Sequence, residues 1–364
     1  MDHKDRRTRI QSVLRQNRLD ALLVSHLPNI RYLCGFTGTA GALLITESHS
    51  LFFTDGRYTT QAHDEVEGSR VVIAQQPALL AVAKWVAANR KGFGHGAARI
   101  GIEGEHMSVA ARSRLARALP PGCQLRPATA LVERLRVVKD WQEMECIRTA
   151  VRLGSRLFDV ALKTIRPGVK ESEVAAEMEY AAHKAGAQEM AFPTIIAAGE
   201  RSALPHGRAS AARIPARGFV VCDFGVILTG YCSDMTRTVH VGRPTAEARR
   251  VYQAVRLAQQ ASIAAVRPGI SVGEVDLAGR KLLQRQGLAK YFTHSTGHGV
   301  GLEIHEAPRI AVGQTEILHP GMVVTIEPGV YLPGRMGVRI EDMVVVTESG
   351  CEVLASTTKD LITL

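Results

Sequence analysis

Four acidic residues stand where apolar strand patterns would be expected to continue. Asp223 follows an apolar run that begins at Phe219, and Glu327 follows a second run that begins at Val323. A carboxylate is costly to bury unless a positive charge neutralises it. The four acids therefore predict bound cations, and they form two pairs along the chain: Asp223 with Asp234, and Glu327 with Glu341.

Each pair of acids spans one predicted β-hairpin. A turn centred between residues 228 and 229 would place the two aspartates directly opposite each other, and a turn centred on Gly334 would do the same for the two glutamates. Cross-strand partners have Cβ atoms about 5 Å apart. Any one of these acids alone would be expected on the solvent face of its strand. The repetition in two hairpins favours a shared buried site instead.

Three histidines lie within one short segment, at His294, His298 and His305. The first two have the i, i+4 spacing of a helical zinc pair, but the glycines at positions 297, 299 and 301 argue against a helix. We therefore expect a strand or loop that another backbone approaches closely. Taken singly, each histidine would more often be a hydrogen-bonded structural residue.

Four carboxylates and an imidazole form a hard, oxygen-rich ligand set. Such a set suits Mn²⁺, Co²⁺ or a dinuclear Zn²⁺ site better than a structural zinc held by thiolates. Two divalent ions would balance the four negative charges. Ions about 3.5 to 4 Å apart can share a water, lower its pKa and stabilise a tetrahedral intermediate, which is the chemistry of amide hydrolysis.

The length of 364 residues exceeds what one hydrophobic core usually serves, so two domains are expected. The second domain, predicted at residues 136–364, begins with a charged helical stretch near Asp140. The first, predicted at residues 1–135, alternates a helical pattern around Ile10 with short strands, which is an α/β layout. Its first strands are predicted at 20–24, 41–46 and 50–54.

The second domain contains a weak internal repeat. An Arg-Pro-Gly turn occurs at 166–168 and again at 267–269, an offset of 101 residues, and Gly186 and Gly287 keep the same offset. Each glycine closes a helical pattern that starts after the turn. Because strand patterns follow both halves, we predict an antiparallel sheet flanked by paired helices. This is an α+β domain with approximate twofold internal symmetry.

Composition argues against several classes of protein. The formal net charge is +10, but Lys and Arg are spread without a basic run, so nucleic acid is not an expected partner. No signal peptide and no apolar span of about 20 residues is visible, so a membrane is not an expected partner either. The six cysteines form no C-x-x-C pair, which fits reduced thiols. We expect a cytoplasmic protein.

Taken together, the motifs resemble those of the proline-specific pita-bread metallopeptidases, the family of aminopeptidase P and prolidase. The resemblance runs over nearly the full length, and the motifs are very specific as a set. They are Leu204-Pro205-His206-Gly207, Cys222-Asp223-Phe224-Gly225, Ser233-Asp234-Met235-Thr236-Arg237-Thr238, the His294 to Glu306 segment, Thr325-Ile326-Glu327-Pro328-Gly329 and Val338-Arg339-Ile340-Glu341-Asp342.

The resemblance implies a ligand for each of two divalent metal ions. Asp223 would chelate one ion, and His298 and Glu327 would hold the other. Asp234 and Glu341 would bridge both. Mn²⁺ is the expected metal, with Co²⁺ and Zn²⁺ as alternatives.

The same resemblance implies catalytic roles. His206 and His305 would contact the substrate and the tetrahedral intermediate, His294 would line the site, and Arg339 would orient the neighbouring carboxylates. The implied reaction is attack of a metal-bridged hydroxide on the carbonyl before proline, with Glu327 moving the proton.

The first domain resembles a creatinase-type N-terminal domain, on the segments 29–38 and 53–59. In the enzymes that it resembles, this domain restricts access to short peptides and reaches the active site of the dimer partner. The resemblance therefore implies short proline-containing peptides as substrates and a homodimer as the assembly.

Two substrate preferences share these catalytic residues. An Xaa-Pro aminopeptidase releases the N-terminal residue from longer peptides, whereas an Xaa-Pro dipeptidase needs a cation for the C-terminal carboxylate and a wall after the proline. The Gly-Phe-Thr-Gly segment at 35–38 favours the aminopeptidase, which is our prediction. A non-catalytic binding protein of the same fold would be expected to lack metal ligands, and a creatinase-like hydrolase works without them, but all five are present here.

Overall fold

The computed structural model describes residues 1–90 and 98–364. Contacts divide the chain into two compact units, Met1–Arg136 and Val137–Leu364, which we call the N-terminal and C-terminal domains. None of the helices within the described residues is long and apolar enough to cross a membrane.

The N-terminal domain is built around a mixed sheet, and the three strands predicted from its sequence are confirmed to within one residue. Its strands are β1 Ala21–Val24, β2 Ala42–Thr46, β3 Ser50–Asp55, β4 Arg70–Ala74, β5 Ala98–Glu103 and β6 Cys123–Ala128, in the order β4-β3-β2-β1-β5-β6. Its helices are α1 His3–Gln16, α2 Leu27–Cys34, α3 Thr59–Glu65, α4 Ala78–Ala88, α5 Val109–Ala118 and α6 Glu133–Arg136.

Helices in the C-terminal domain confirm the internal repeat. They are α7 Trp141–Thr164, α8 Glu171–Lys184, α9 Ala246–Ala265 and α10 Val272–Arg285, so both ends of α10 lie 101 residues after the ends of α8. Gly186 and Gly287 follow these two helices with φ of 93° and 70°, values that favour glycine. The same turn chemistry therefore ends the same helix in each half.

Antiparallel strands of the C-terminal domain follow each pair of helices. The sheet β8-β9-β12 belongs to the first half, and the sheet β14-β13-β15-β18-β19 belongs to the second. The ranges are β7 Glu189–Met190, β8 Ile195–Ala198, β9 Gly218–Phe224, β10 Val226–Leu228, β11 Tyr231–Cys232, β12 Met235–Val241, β13 Gly297–Gly299, β14 Glu306–Ile310, β15 Val323–Ile326, β16 Gly329–Leu332, β17 Met336–Arg339, β18 Asp342–Val346 and β19 Cys351–Val353.

Each half of this domain buries a helix pair against its own sheet. In the first half, Leu157 of α7 and Met178 of α8 pack in one apolar cluster with Val220 of β9. In the second half, Val275 of α10 packs in another cluster with Val324 of β15. Burial of these apolar faces holds the strands in place, so the inner ends of the strands can present polar side chains to one cavity.

Candidate metal centre

A cavity of about 700 Å³ in the C-terminal domain brings the predicted site residues together. Its walls also include the apolar side chains of Phe192, Pro193 and Ile304. All nine residues predicted from the sequence line it: His206, Asp223, Asp234, His294, His298, His305, Glu327, Arg339 and Glu341.

The predicted register of the two aspartates is wrong by two residues. The strands β9 and β12 pair Asp223 with Thr236, so Asp234 is its diagonal neighbour and not its direct partner. The reason lies in the turn: Thr229 and Gly230 both have positive φ, 51° and 81°, and form a two-residue loop closed by the Leu228–Tyr231 pair. The hairpin is therefore centred one residue later than predicted.

The predicted register of the two glutamates is confirmed. On one side of them β15 pairs with β18, and on the other side β16 pairs with β17 around Gly334. In both ladders the numbers of paired residues have the same sum, as in Ile326 with Asp342 and Gly329 with Arg339. Glu327 and Glu341 fit the same register in the short gap between the ladders.

Close backbone approach explains the glycines around His298, as predicted. A Cβ atom at Gly297 would lie 1.8 Å from the Thr325 carbonyl oxygen, and one at Gly299 would lie 2.1 Å from that of Ala307. Real Cβ atoms do not come so near, so only glycine lets β13 pair tightly on both sides. The tight pairing directs the His298 ring into the cavity.

Three side chains in the cavity could hold one metal ion. Asp234, His298 and Glu341 each offer a ligand atom, and these atoms all lie within 4.8 Å of one another. The His298 Nε2 atom also lies 3.4 Å from Glu327 Oε1. Its Nδ1 atom is 3.0 Å from the Gly299 carbonyl oxygen, so Nδ1 carries the proton and Nε2 keeps a free lone pair for a ligand.

Threonines adjacent to the acids in the strands hold the carboxylates in position. The Thr236 hydroxyl donates to Glu341 Oε2 at 2.7 Å, and the Thr325 hydroxyl donates to Glu327 Oε1 at 3.3 Å. Both threonines lie in motifs noted in the sequence, but no role could be predicted for them there, because threonine is common in strands for reasons unrelated to any site.

Burial and mutual repulsion disfavour the ionised form of these acids. Burial raises the pKa of Glu327 to about 8, and the Asp223 charge adds to this effect. Burial also raises the pKa of Asp234 and of Glu341 well above the ordinary range, with further contributions from the neighbouring carboxylates. Several acids that destabilise one another in this way are typical of a site that a cation completes.

The residues fit divalent metal ions by a further criterion. Asp234 Oδ1 and Glu341 Oε1 are buried, and neither has a hydrogen-bond partner within the described part of the chain. A buried carboxylate oxygen without a partner is costly. Because these two oxygens belong to the cluster that could hold an ion, a bound cation would satisfy both. Carboxylate oxygens with one imidazole suit Mn²⁺, Co²⁺ or Zn²⁺.

A chain of hydrogen bonds links His294 to Asp223. The Tyr331 hydroxyl lies 2.9 Å from His294 Nε2 and accepts a hydrogen bond from Arg339 Nη1 at 2.7 Å, and Arg339 Nη2 pairs with Asp223 Oδ2 at 2.5 Å. Burial lowers the pKa of His294 to about 4, so the ring is neutral. Its Nδ1 atom donates to the Ser295 carbonyl oxygen, so Nε2 accepts a hydrogen bond from the Tyr331 hydroxyl. Tyr331 was not among the residues predicted from the sequence, because it lies in the pattern of an ordinary apolar strand.

Two of the predicted histidines lie on the open side of the cavity. His206 and His305 are exposed, whereas Asp223, Asp234 and Glu341 are buried. The ring centroid of His305 lies 4.4 Å from that of His298, with the rings nearly perpendicular. Burial lowers the pKa of His305. Both imidazoles are therefore placed to meet a molecule that enters the cavity from solvent.

Family models match almost the whole chain. The model described as "Metallopeptidase family M24" matches residues 145–348, more than half of the chain, and the model described as "Creatinase/Prolidase N-terminal domain" matches residues 6–138. The chain belongs to metallopeptidase family M24. It has the pita-bread C-terminal domain and the creatinase-like N-terminal domain that the sequence predicted. Membership implies an enzyme that uses divalent metal ions.

Individual relatives extend over both domains of this family M24 chain. An Xaa-Pro dipeptidase from Pyrococcus horikoshii is 35% identical over 358 residues, which cover 95% of this chain and 95% of the relative. The solved structure of an Xaa-Pro dipeptidase from Bacillus anthracis covers 100% of both chains at 38% identity, with a TM-score of 0.94. That of an X-Pro aminopeptidase from Thermotoga maritima covers 98% of this chain and 99% of its own at 35% identity, with a TM-score of 0.88.

Proposed function

We propose that this family M24 chain is an Xaa-Pro dipeptidase with a dinuclear metal site. One observation carries the proposal: the acids and the imidazole of both repeats converge on one cavity, where buried carboxylate oxygens have no partner in the described residues. The relatives named as Xaa-Pro dipeptidases favour this reading over the aminopeptidase that the sequence predicted. The proposed ligands are Asp223, Asp234, His298, Glu327 and Glu341.

Side chains of this chain would then divide the work of hydrolysis. The metal ions, when bound, supply a nucleophilic water of lowered pKa and polarise the scissile carbonyl. Glu327, on the floor of the cavity beside His298, takes the proton of the attacking water and passes it to the proline nitrogen. His206 and His305, on the open side, donate hydrogen bonds to the carbonyl oxygen as negative charge develops there.

Arg309 is the cation that we assign to the substrate carboxylate. It lines the cavity and lies directly across from His298 in the β13–β14 pair, beside a proposed metal ligand. Within the described residues, no carboxylate lies within 4 Å of its guanidinium, so this group is available to a ligand. In an Xaa-Pro dipeptide the terminal carboxylate is only three bonds from the scissile carbonyl carbon, so its partner must lie close to the metal ions.

Proline specificity follows from the remaining cavity wall. A tertiary amide has no N–H to donate, and the pyrrolidine ring is rigid and apolar. Phe192, Pro193 and Ile304 provide apolar surface beside the charged floor. A site with this lining selects proline by shape and by the absence of a required hydrogen bond.

Substrate length is the direct test of the proposal. The Mn²⁺-loaded protein is expected to hydrolyse Ala-Pro with kcat/KM at least about 100-fold above that for Ala-Pro-Ala. The proline carboxylate of the dipeptide can pair with Arg309, a contact worth about 3 kcal/mol, whereas in the tripeptide this group is a peptide bond. The second candidate function, an Xaa-Pro aminopeptidase, is favoured by the similarity to the Thermotoga maritima enzyme. Faster cleavage of the tripeptide would establish that alternative, and metal-independent or absent cleavage of both would refute the peptidase.

The Arg309→Ala variant is expected to raise KM for Ala-Pro at least about tenfold with little change in kcat, because a charge-assisted hydrogen bond to the substrate is lost. The wild-type protein should show the same loss with the amide of Ala-Pro, which lacks the carboxylate. Combining variant and amide should cost nothing further. Arg208→Ala, which removes another arginine from the cavity wall, is the matched control. Additive losses for Arg309→Ala and the amide would contradict the assignment.

Mn²⁺ as the physiological metal, a homodimer as the assembly and a cytoplasmic location complete the proposal. The oxygen-rich ligand set supports Mn²⁺. The creatinase-like domain matched at residues 6–138 supports the dimer by analogy with the enzymes that share it.

A further inference from the structure

A second cavity, of about 530 Å³, lies in the C-terminal domain apart from the metal centre. Gly218 and Phe219 at the start of β9 line it, whereas Asp223 near the other end of that strand lines the catalytic cavity. Five steps along a strand correspond to roughly 16 Å. Among the described residues, no side chain lines both cavities, so the second cavity is a separate place for a ligand.

Four arginine side chains line this cavity, at positions 201, 213, 217 and 335. Two of them are paired with acids: Arg201 lies 3.0 Å from Glu171, and Arg335 lies 2.6 Å from Glu247. Arg213 and Arg217 have no carboxylate within 4 Å in the part of the chain that the structure describes. Arg213 Nη1 donates to the Gly168 carbonyl oxygen at 2.6 Å, and its other nitrogens remain for a ligand. One exposed glutamate at position 200 also lines the cavity, so positive charge predominates there.

His240 adds a buried acceptor to the same wall. The residue is 3% exposed, and its Nδ1 atom lies 2.8 Å from the Gly242 carbonyl oxygen. A carbonyl oxygen can only accept, so Nδ1 carries the proton and Nε2 is an acceptor. Burial lowers the pKa of His240, which keeps the ring neutral near pH 7. Within the described residues no hydrogen bond to Nε2 is present, and this atom is not closed off from the cavity, so it can accept a hydrogen bond from a ligand there.

The N-terminus of helix α9 completes the cavity. Thr245 caps this 20-residue helix by accepting a hydrogen bond from the Ala248 N–H, and both residues line the cavity. The remaining N–H groups of a first helical turn and the helix dipole favour a negative charge. Pro215 and Met336 cover another part of the wall with apolar surface.

We propose that this cavity binds a phosphate compound with a hydroxyl group. The ligand is either hydrogen phosphate, which has a P–OH group, or a phosphomonoester whose carbon chain carries a hydroxyl. The oxygens accept charge-assisted hydrogen bonds from Arg213 and Arg217, which is the preferred chemistry between guanidinium and phosphate. The hydroxyl donates to His240 Nε2. Sulfate is ionised fully near pH 7 and has no hydroxyl, so it satisfies the arginines but not the histidine.

Titration calorimetry of the full-length, metal-loaded protein tests this site without any measurement of peptidase activity. Inorganic phosphate is expected to bind saturably, at least about tenfold more tightly than sulfate at matched ionic strength. Glycerol 3-phosphate separates the two sources: tighter binding than inorganic phosphate identifies the ester as the ligand, and equal or weaker binding identifies the free ion. Absence of saturable binding, or equal binding of sulfate, would overturn the proposal.

Arg217→Ala locates the binding. This exposed side chain makes no described contact, so the variant is expected to fold and to keep its hydrolysis of Ala-Pro, while its Kd for phosphate rises about tenfold. Arg267→Ala removes another exposed arginine of the same domain, outside both cavities, and should leave the Kd unchanged. Phosphate bound only to the metal ions would be insensitive to Arg217→Ala, and that result would refute the site.

Discussion

Asp234→Asn is expected to reduce kcat/KM for Ala-Pro by at least about 10³-fold, equivalent to roughly 4 kcal/mol of transition-state stabilisation. Asp234 Oδ1 is buried without a hydrogen-bond partner in the described residues, and it belongs to the cluster with His298 and Glu341. Asparagine keeps the size of the side chain but removes the negative charge and places an amide N–H₂ beside a cation. We therefore expect metal content to fall from the proposed two ions per chain to one or none.

Kinetics with Ala-Pro and elemental analysis of the purified variant together check this prediction. Glu348→Gln, which neutralises an exposed acid of the same domain, is the control and should keep both ions and full activity. If the Asp234→Asn protein retained two ions and wild-type kcat/KM, the proposed metal centre would be wrong. If circular dichroism showed that the Asp234→Asn protein is unfolded, the Glu341→Gln variant would be tested in the same way in its place.

Metal-free protein is expected to lose stability as the pH rises from 6.5 to 8. Burial raises the folded-state pKa of Glu327 from 4.5 to about 8, so the stability that its bound proton contributes is fully present below 4.5 and disappears as the pH passes through 8. Over the upper 1.5 pH units this amounts to about 2 kcal/mol, or roughly 5 °C in Tm for a domain of this size. Asp234 and Glu341, with pKa values raised in the same direction, add to the loss.

The choice of pH window separates these acids from the buried histidines. Burial lowers the pKa of His294 and His298 to about 4, so these residues stabilise the fold as the pH rises, but only up to their ordinary value of 6.5. Scanning calorimetry of metal-free protein between pH 6.5 and 8 therefore measures the effect of the carboxylates on Tm without a contribution from these two histidines. The Glu327→Gln variant should show a smaller pH dependence, and added Mn²⁺ should restore Tm at pH 8. A metal-free Tm that rises over this window would contradict the account.

Several features of the fold could be predicted because they depend on neighbouring residues. The helix α10 repeats α8 at an offset of 101 residues, since the same turn and the same terminal glycine occur in both halves. The opposed positions of Glu327 and Glu341 follow from one turn centred on Gly334. Turn chemistry and hydrophobic period are local, so they can be read without knowledge of the packing.

The Asp223–Asp234 pairing shows where local reasoning fails. A turn placed one residue too early shifts every pair by two, and only the positive φ angles of Thr229 and Gly230 reveal its true centre. Glycine signals such a conformation clearly, but threonine does not. The two aspartates still share a face because a shift of two residues preserves the alternation of side chains.

The sequence by itself determined the chemical inventory of this protein: acids in apolar strands, glycines where backbones meet, and the repeat that doubles the ligand set. Tertiary structure alone decided which groups act on one another. Hydrogen bonds connect His294 through Tyr331 to Arg339, although these residues are far apart in the chain. The second cavity likewise brings Arg217 and other arginines together with His240. Such contacts depend on how two sheets and their helices pack, and that packing minimises a free energy summed over the whole domain.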